Sequence, residues 1–323
     1  MKKPNYLIIF LLLFSTGVLI TSCNTSTAEV KPESGTLLDM NEEIMRGTPM
    51  VLGKNFSGSV AFATNIEEWK RIKKNGFNTI RICWVDPYYK DRERDHWTVE
   101  EVIPWYDKCV KIATEMEMNL VINFHNVGSQ QNFDTTYAFE TEKEFWKAIA
   151  PRYKDNPLVY YEIANEPTFR MHDYLKPEFK KNYLEIYEQV RKDAPEREIL
   201  FFSFNTIKKE IIEVANGYEQ DLDWKHTTIA YHMYNDTSSA SVQHLMKSHR
   251  VICTEWFYDH VGKARPDYTF IQQVDGYKEN GQTLESIGSS WMDWRDWSDT
   301  TLNELLDTLI NDARSKGYWW IEE

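Results

Sequence analysis

Two glutamates are candidates for catalysis because each one ends an apolar stretch of the kind that forms a buried strand. Glu166 follows the apolar run 160–164 and precedes Pro167, and Glu255 follows the run 251–254. Pro167 must end its strand because proline has no N–H to give to a ladder. In a barrel of parallel strands, the catalytic groups lie at the carboxyl ends of the strands. From its own stretch alone, Glu166 is either a catalytic acid or base or the buried partner of an arginine.

Polar and aromatic side chains also stand at the ends of other apolar runs along the chain. They are Arg81, His125, Asn165, His232, Tyr234 and Trp291. One histidine beside an apolar strand is more often a satisfied core residue than a catalyst, but packing alone explains this recurrence poorly. Because side chains alternate in direction along a strand, Arg81 shares a face with Cys83, and Glu162 shares a face with Glu166.

The elements that must position these residues are short apolar runs that alternate with amphipathic helices. Strands are predicted over 45–52, 77–84, 120–124, 158–164, 199–203, 228–231, 251–255 and 286–291, and helices over 65–74, 99–116, 141–153, 179–192, 208–215, 241–247, 270–279 and 302–315. Asn65 is a predicted helix cap, and Thr141 with Glu144 has capping-box spacing. Eight strand–helix units predict an α/β fold, a single-domain (β/α)8 TIM barrel. A doubly wound sheet is the alternative, but no glycine-rich phosphate loop follows the first strand.

Composition narrows the class of partner. The 323 residues are 42% hydrophobic, which suits one large core, and carry a formal net charge of -13. This acidic balance argues against nucleic acid or an anionic lipid surface as the partner, and it is compatible with a neutral glycan. Cys83, Cys109 and Cys253 have neither a disulfide pattern nor metal-ligand spacing, so we expect buried free thiols and no metal or cofactor.

The N-terminus has the pattern of a targeting segment. Two lysines precede the apolar run 6–20, which is too short to span a membrane comfortably. The sequence Ile-Thr-Ser-Cys that ends at Cys23 resembles the lipobox of bacterial lipoproteins, in which the cysteine is acylated. We therefore expect residues 1–23 to be a lipoprotein signal, 24–36 a flexible tether and 37–323 the catalytic domain. The location would be extracytoplasmic, with membrane attachment through the lipid alone; an ordinary secretory signal is the alternative.

Taken together, the motifs resemble those of glycoside hydrolase family 5 over residues 40–320. The residues that carry the resemblance are Arg81 in Asn-Thr-Ile-Arg, His125, Asn165-Glu166-Pro167, His232-x-Tyr234, Thr254-Glu255 and Ser290-Trp291. The resemblance implies Glu255 as nucleophile and Glu166 as acid/base. It also implies that Asn165, His125 and His232 bind sugar hydroxyls and that Trp291 forms the floor beneath the sugar. Two departures are the loosely matching strand 45–52 and the bulky Trp256 after Glu255.

The chemistry of such a pair is glycosidic bond cleavage. Two carboxyl groups about 5–5.5 Å apart give retention of configuration, and a wider pair leaves room for water and gives inversion. Arg81 and Tyr234 beside Glu255 would favour its ionised form. We therefore expect a monomeric, retaining glycoside hydrolase of β-glycans, an endo-β-1,4-glucanase first and a β-mannanase or other β-glycanase next. The alternatives of another class are a non-catalytic glycan-binding lipoprotein and an unrelated metal-dependent barrel hydrolase.

Overall fold

The computed structural model describes residues 34–54, 58–89, 95–128, 137–205, 207–233 and 240–256, and these contain one parallel sheet. Its strands are β1 (Gly35–Thr36), β2 (Gly47–Leu52), β3 (Thr79–Trp84), β4 (Asn119–Phe124), β5 (Val159–Glu162), β6 (Ile199–Phe204), β7 (Thr227–Met233) and β8 (Arg250–Trp256). They are ordered β1-β8-β7-β6-β5-β4-β3-β2, and every neighbouring pair is parallel. The sheet curls into a partial TIM-like barrel, which confirms the predicted α/β fold class.

Helices connect most successive strands. They are α1 (Ser59–Ala63), α2 (Ile66–Lys74), α3 (Asp86–Tyr89), α4 (Val99–Glu115), α5 (Phe139–Tyr153), α6 (Pro177–Asp193), α7 (Glu210–Gly217) and α8 (Ala240–Leu245). Local signals explain several helix starts. The Asn65 side chain caps α2 by accepting from the N–H of Glu67, as predicted, and Thr98 with Glu101 forms a complete capping box on α4.

The predicted start of α5 was wrong. Thr141 and Glu144 have capping-box spacing, but the helix already begins at Phe139, and its N-cap residue makes no side-chain hydrogen bond. The Phe139 ring packs edge-on against Tyr137 at 4.8 Å and against Phe179 at 5.3 Å between ring centroids. Aromatic contacts of this kind stabilise the two additional helical residues, so tertiary packing overrides the local capping signal here.

The interior of the barrel is layered. One apolar layer takes a residue from each of five successive strands, and Leu37 and Met45 pack into the same cluster; the five are Val121, Tyr160, Leu200, Ala230 and Ile252. A larger apolar core lies between the sheet and the helices and includes the fully buried indoles of Trp69 and Trp146. The centre of a TIM barrel is likewise a packed core of side chains arranged in layers, although each layer there is drawn from alternate strands.

The N-terminal part of the sheet departs from prediction. Gly35 and Thr36, placed at the end of the tether by sequence, pair in parallel with Arg250 and Val251 of β8, so the tether cannot extend to residue 36. A two-residue strand is too short to show a hydrophobic period. The predicted signal with Cys23, the strand 286–291 and the helices 270–279 and 302–315 fall outside the described residues. Among the residues that are described, no helix combines the length and apolar character needed to cross a bilayer.

The thiol prediction holds: Cys83, Cys109 and Cys253 are free and buried. Burial raises the pKa of Cys83 and of Cys109 to about 12, even though Arg81 and Lys108 respectively act against it, so both thiols stay protonated at neutral pH. These cysteines are packing residues with no nucleophilic character.

Leu200→Ala tests the importance of the interior apolar layer. Leu200 is fully buried in the barrel centre, so the substitution should lower the free energy of unfolding by about 2–5 kcal/mol through a cavity that the rigid strands cannot close. The measurement is urea denaturation. Met40→Ala is the control: Met40 is 49% exposed, and its loss should stay within about 0.5 kcal/mol. Equal effects of the two substitutions would contradict the layered core.

Candidate active site

Arg81 lies at the centre of the site and is 1% exposed. Its Nη1 donates to Oε1 of Glu255 at 2.7 Å, and its Nη2 donates to Oδ1 of Asn165 at 2.8 Å. Its Nε donates to Oε2 of Glu162. β3 supplies the arginine, β8 supplies Glu255, and the segment after β5 supplies Asn165. The predicted proximity of Arg81 to Glu255 is confirmed, and Arg81 is a buried group rather than a surface charge.

Glu162 is a site residue that sequence reasoning did not select. Its Oε1 accepts from Ser203 Oγ at 2.8 Å and from Thr254 Oγ1 at 2.7 Å. Burial alone would raise the pKa of Glu162, but Arg81 and His232 outweigh it and lower the pKa to about 2. A signal was present in the sequence, because a glutamate in the middle of an apolar strand, four residues before Glu166, is rarely buried without a partner.

Glu166 is held by an unusual backbone. Its φ is 42°, in the left-handed region that non-glycine residues seldom adopt. The N–H of Gly128 donates to the carbonyl oxygen of Glu166 at 2.9 Å and ties the segment after β4 to this turn. Burial raises the pKa of the Glu166 carboxyl, although the adjacent His232 acts in the opposite direction. A carboxyl group with a raised pKa is suited to hold a proton near neutral pH.

His232 lies between the two glutamates. Its Nδ1 is 2.7 Å from Oε1 of Glu166 and 3.3 Å from Oε2 of Glu255. Burial alone would lower the pKa of His232, but Glu255, Glu162 and Glu166 outweigh it and raise the pKa to about 9. The imidazolium is therefore the main form at neutral pH. One oxygen of each glutamate and a ring nitrogen of His232 lie within 4.8 Å of one another, so the two carboxyl groups are close enough to act on one glycosidic bond.

His125 differs from His232 in its charge state. Its Nδ1 is 2.9 Å from Oδ1 of Asn123, a second polar residue that sequence reasoning did not select. Burial lowers the pKa of His125 to about 3, so the ring is neutral at physiological pH. A neutral imidazole has one donor and one acceptor nitrogen, which suits hydrogen bonding to a neutral hydroxyl.

Tyr234 and Trp291 lie outside the described residues. The structure describes the other six of the eight predicted catalytic and sugar-binding residues, which are Arg81, His125, Asn165, Glu166, His232 and Glu255. Of these six, Arg81, Asn165 and Glu255 form one contact group and His232 joins it to Glu166. His125 lies close enough to Glu255 and Arg81 for their charges to act on it, although its described hydrogen bond is to Asn123.

Within the described part of the chain, one group of three could offer ligands to a metal ion: Glu166, His232 and Glu255. A metal ion there would have to remove the proton from His232 and compete with the guanidinium of Arg81 for Glu255. The charges already present therefore favour proton transfer at this group over metal binding.

A partial barrel of parallel strands with two facing carboxyl groups at its carboxyl end defines the class of protein, a TIM-barrel glycosidase. The sequence profile of the family described as "Cellulase (glycosyl hydrolase family 5)" matches residues 41–318. The chain belongs to glycosyl hydrolase family 5, a family of retaining O-glycosyl hydrolases. This confirms the resemblance noted in the motifs.

Individual relatives are distant. Endoglucanase A of Evansella cellulosilytica is 25% identical over 157 residues, a match that covers 46% of this chain and only 30% of the relative. The catalytic domain of the Thermobifida fusca endoglucanase Cel5A has 16% identity and a TM-score of 0.54, covering 81% of this chain and 82% of that one. The major endoglucanase of Xanthomonas campestris has 14% identity and a TM-score of 0.56, with 86% and 98% covered. At this identity the solved structures establish the shared fold.

Gly128→Ala tests the backbone contact that holds Glu166. A Cβ at residue 128 would lie 2.0 Å from the carbonyl oxygen of Pro167 and 2.8 Å from Cα of Thr168, so the turn that carries Glu166 must move. A displacement of about 1 Å in a catalytic group costs about 100-fold, and we expect a loss of that size in kcat/KM on an aryl β-glycoside.

Gly217→Ala is the matched control for this substitution. Its Cβ would meet only the flexible side chain of Leu175, at 2.3 Å from Cδ2, and Gly217 ends α7, which carries neither glutamate. This variant should keep its kcat/KM even if it loses some stability. Equal kcat/KM for Gly128→Ala and the wild type would show that the close approach does not position Glu166.

Proposed function

We propose that this protein is an endo-acting retaining β-glycanase whose preferred substrate is a β-1,4-glucan. The observation that carries the proposal is the contact group itself, in which Arg81 bonds Glu255 and His232 links Glu255 to Glu166. The names of the relatives support the substrate class: several are endoglucanases, and a variant of the Thermobifida fusca catalytic domain was solved in complex with cellotetraose. The non-catalytic alternative is disfavoured because both carboxyl groups and their supporting cation are present and in contact.

Glu255 is the nucleophile in this proposal. Its ion pair with Arg81 stabilises the negative form that must attack the anomeric carbon, and the 2.7 Å hydrogen bond fixes Oε1, while Oε2 lies 3.3 Å from Nδ1 of His232. Attack expels the leaving oxygen and forms a covalent glycosyl-enzyme. Water then displaces Glu255 from the same face as the leaving group, so two inversions give net retention.

Glu166 is the acid and then the base. Burial raises the pKa of its carboxyl, so it can protonate the leaving oxygen in the first step. Once Glu166 has lost that proton, the positive His232 at 2.7 Å stabilises the new carboxylate until it deprotonates the attacking water. His232 thus lowers the free energy of the state that the second step requires.

The sugar is held by the surrounding polar groups. Asn165 binds the 2-hydroxyl, His125 and His232 bind neighbouring hydroxyls, and Tyr234 and Trp291, outside the described residues, act on the nucleophile and the sugar face. Neutral His125 suits this role because a hydroxyl both donates and accepts hydrogen bonds. A β-mannan or another β-glycan remains the second candidate, since the carboxylate pair itself does not distinguish these sugars.

The configuration of azide products tests the two glutamate roles. With an aryl β-cellobioside whose phenolate leaves without acid help, Glu166→Ala should still form the glycosyl-enzyme, and azide should accelerate its turnover and give the β-azide. Glu255→Ala cannot form that intermediate, so direct attack by azide should give the α-azide. NMR of the anomeric proton distinguishes the two products.

An α-azide from Glu166→Ala together with a β-azide from Glu255→Ala would reverse the two assignments. The wild type is the control, and an inverted sugar from its hydrolysis would remove the covalent mechanism. Faster hydrolysis of β-mannan than of β-1,4-glucan by the wild type would transfer the substrate assignment to the second candidate.

We also propose that the protein is a bacterial lipoprotein anchored outside the cytoplasm through Cys23. The support is the order of the N-terminal sequence: a basic start, the apolar run 6–20 and Ile-Thr-Ser-Cys. A single acyl chain gives only marginal membrane binding, so stable anchoring requires more than one chain. A fatty-acid probe should label the wild type and leave Cys23→Ala unlabelled; equal labelling of both would refute the anchor.

A further inference from the structure

We propose that Glu162 is a positioning residue that fixes the guanidinium of Arg81 and, through it, the orientation of Glu255. The inference rests on the proposed function of Glu255 as nucleophile. Glu162 is fully buried at the end of β5, and its described hydrogen bonds go to Arg81, Ser203 and Thr254.

The shape of the arginine explains how the effect is transmitted. A guanidinium is planar and presents its N–H groups in a rigid fork, so fixing two of its edges fixes the third. Nε of Arg81 bonds Glu162 and Nη2 bonds Asn165, which leaves Nη1 directed at Glu255. Of these three contacts, only those to Asn165 and to Glu255 itself would still orient the guanidinium plane if Glu162 were lost.

The carboxylate of Glu162 is itself fixed from two further strands. Ser203 of β6 and Thr254 of β8 both donate hydroxyl hydrogen bonds to Oε1, at 2.8 and 2.7 Å, while Oε2 faces Arg81. Thr254 is the residue directly before Glu255. The position of Glu162 therefore links the strand that carries the arginine to the strand that carries the nucleophile.

The backbone of β6 is distorted at the residue that reaches Glu162. Phe202 and Ser203 have φ values of 77° and 45°, and the register with β7 shifts between Phe201 and Phe204. Tyr174 Oη donates to the carbonyl oxygen of Phe202 at 2.9 Å, and the Phe202 N–H donates to Tyr183 Oη at 3.0 Å. Left-handed non-glycine residues cost free energy and cluster at functional sites, where the surroundings enforce them. Here the bulge brings the Ser203 hydroxyl within hydrogen-bond distance of the Glu162 carboxylate.

The barrel contains a matched pair that serves as a control. Glu198, just before β6, accepts from Arg250 Nη2 at 2.8 Å and from Thr228 Oγ1 at 2.6 Å. This is the same buried combination of glutamate, arginine and threonine, but it lies at the amino-terminal end of the strands, away from Glu255. Loss of either glutamate should destabilise the fold, and only loss of Glu162 should affect the reaction.

The experiment compares Glu162→Gln with Glu198→Gln on an aryl β-cellobioside with a good leaving group. Both variants should have a lower Tm than the wild type. Glu162→Gln should lose about 100-fold in kcat with little change in KM, because the nucleophile is misplaced while sugar contacts remain. Glu198→Gln should keep its kcat. Similar kcat losses in the two variants would overturn the inference.

A double-mutant cycle isolates the route through the arginine. Arg81→Lys replaces the fork by a point charge, so adding Glu162→Gln in that background should change kcat little if Glu162 acts through Arg81. If the kcat losses of the two single variants multiply in the double variant, the inference is overturned. If Glu162→Gln does not fold, Ser203→Ala decides: it removes one of the hydrogen bonds to the carboxylate, so the variant should fold with a lowered Tm and a kcat about tenfold below that of the wild type. A wild-type kcat in Ser203→Ala would then refute the role.

These outcomes separate the inference from the proposed function. An inactive or inverting wild type would defeat the proposed function, whereas an active, retaining wild type with an unaffected Glu162→Gln variant would defeat the positioning role alone.

Discussion

The buried cation of Arg81 is the constraint on which the rest of the site depends. Removing a guanidinium from water has a large free-energy cost unless anions and hydrogen-bond acceptors surround it. Glu162, Glu255 and Asn165 supply these acceptors from β5, β8 and the turn after β5. Because each acceptor is attached to a different part of the sheet, the charge balance of one side chain also fixes how three strand ends lie relative to one another. The contacts that compensate the buried charge of Arg81 are therefore the same contacts that orient Glu255.

Two glutamates four residues apart, one at the end of β5 and one in the turn after it, show how position determines chemistry. Glu162 is surrounded by donors and has its pKa lowered to about 2, whereas burial raises the pKa of the Glu166 carboxyl. The left-handed backbone at Glu166 turns the chain away from the strand direction, so its side chain meets His232 instead of Arg81. The end of β5 and the turn after it thereby supply an ionised support and a carboxyl group that can carry a proton.

Most of the barrel could be predicted from sequence because its signals are local: apolar runs, capping residues such as Asn65 and the proline after Glu166. What could not be predicted depends on contacts between distant segments. Glu162 stands within an apolar strand, and only its partners on other strands reveal its ionised state. The bulge at Ser203 has no sequence signature, since tyrosines from other elements enforce it. Helix α5 begins before its predicted first residue because aromatic packing outweighs the capping motif.

The two ends of the barrel use similar chemistry for different purposes. An apolar layer separates the pair of Arg81 and Glu162 from the pair of Arg250 and Glu198, and each pair includes a threonine hydroxyl. At the amino-terminal end, Arg250 also donates to backbone carbonyl oxygens, so that pair can only join strands and loops. At the carboxyl end, Arg81 directs one N–H at Glu255 beside a charged histidine. Stability and function in TIM barrels divide between the same two faces. Each buried arginine has its own acceptors: Glu162, Glu255 and Asn165 compensate Arg81, and Glu198 compensates Arg250, so the two charges are balanced independently within one core.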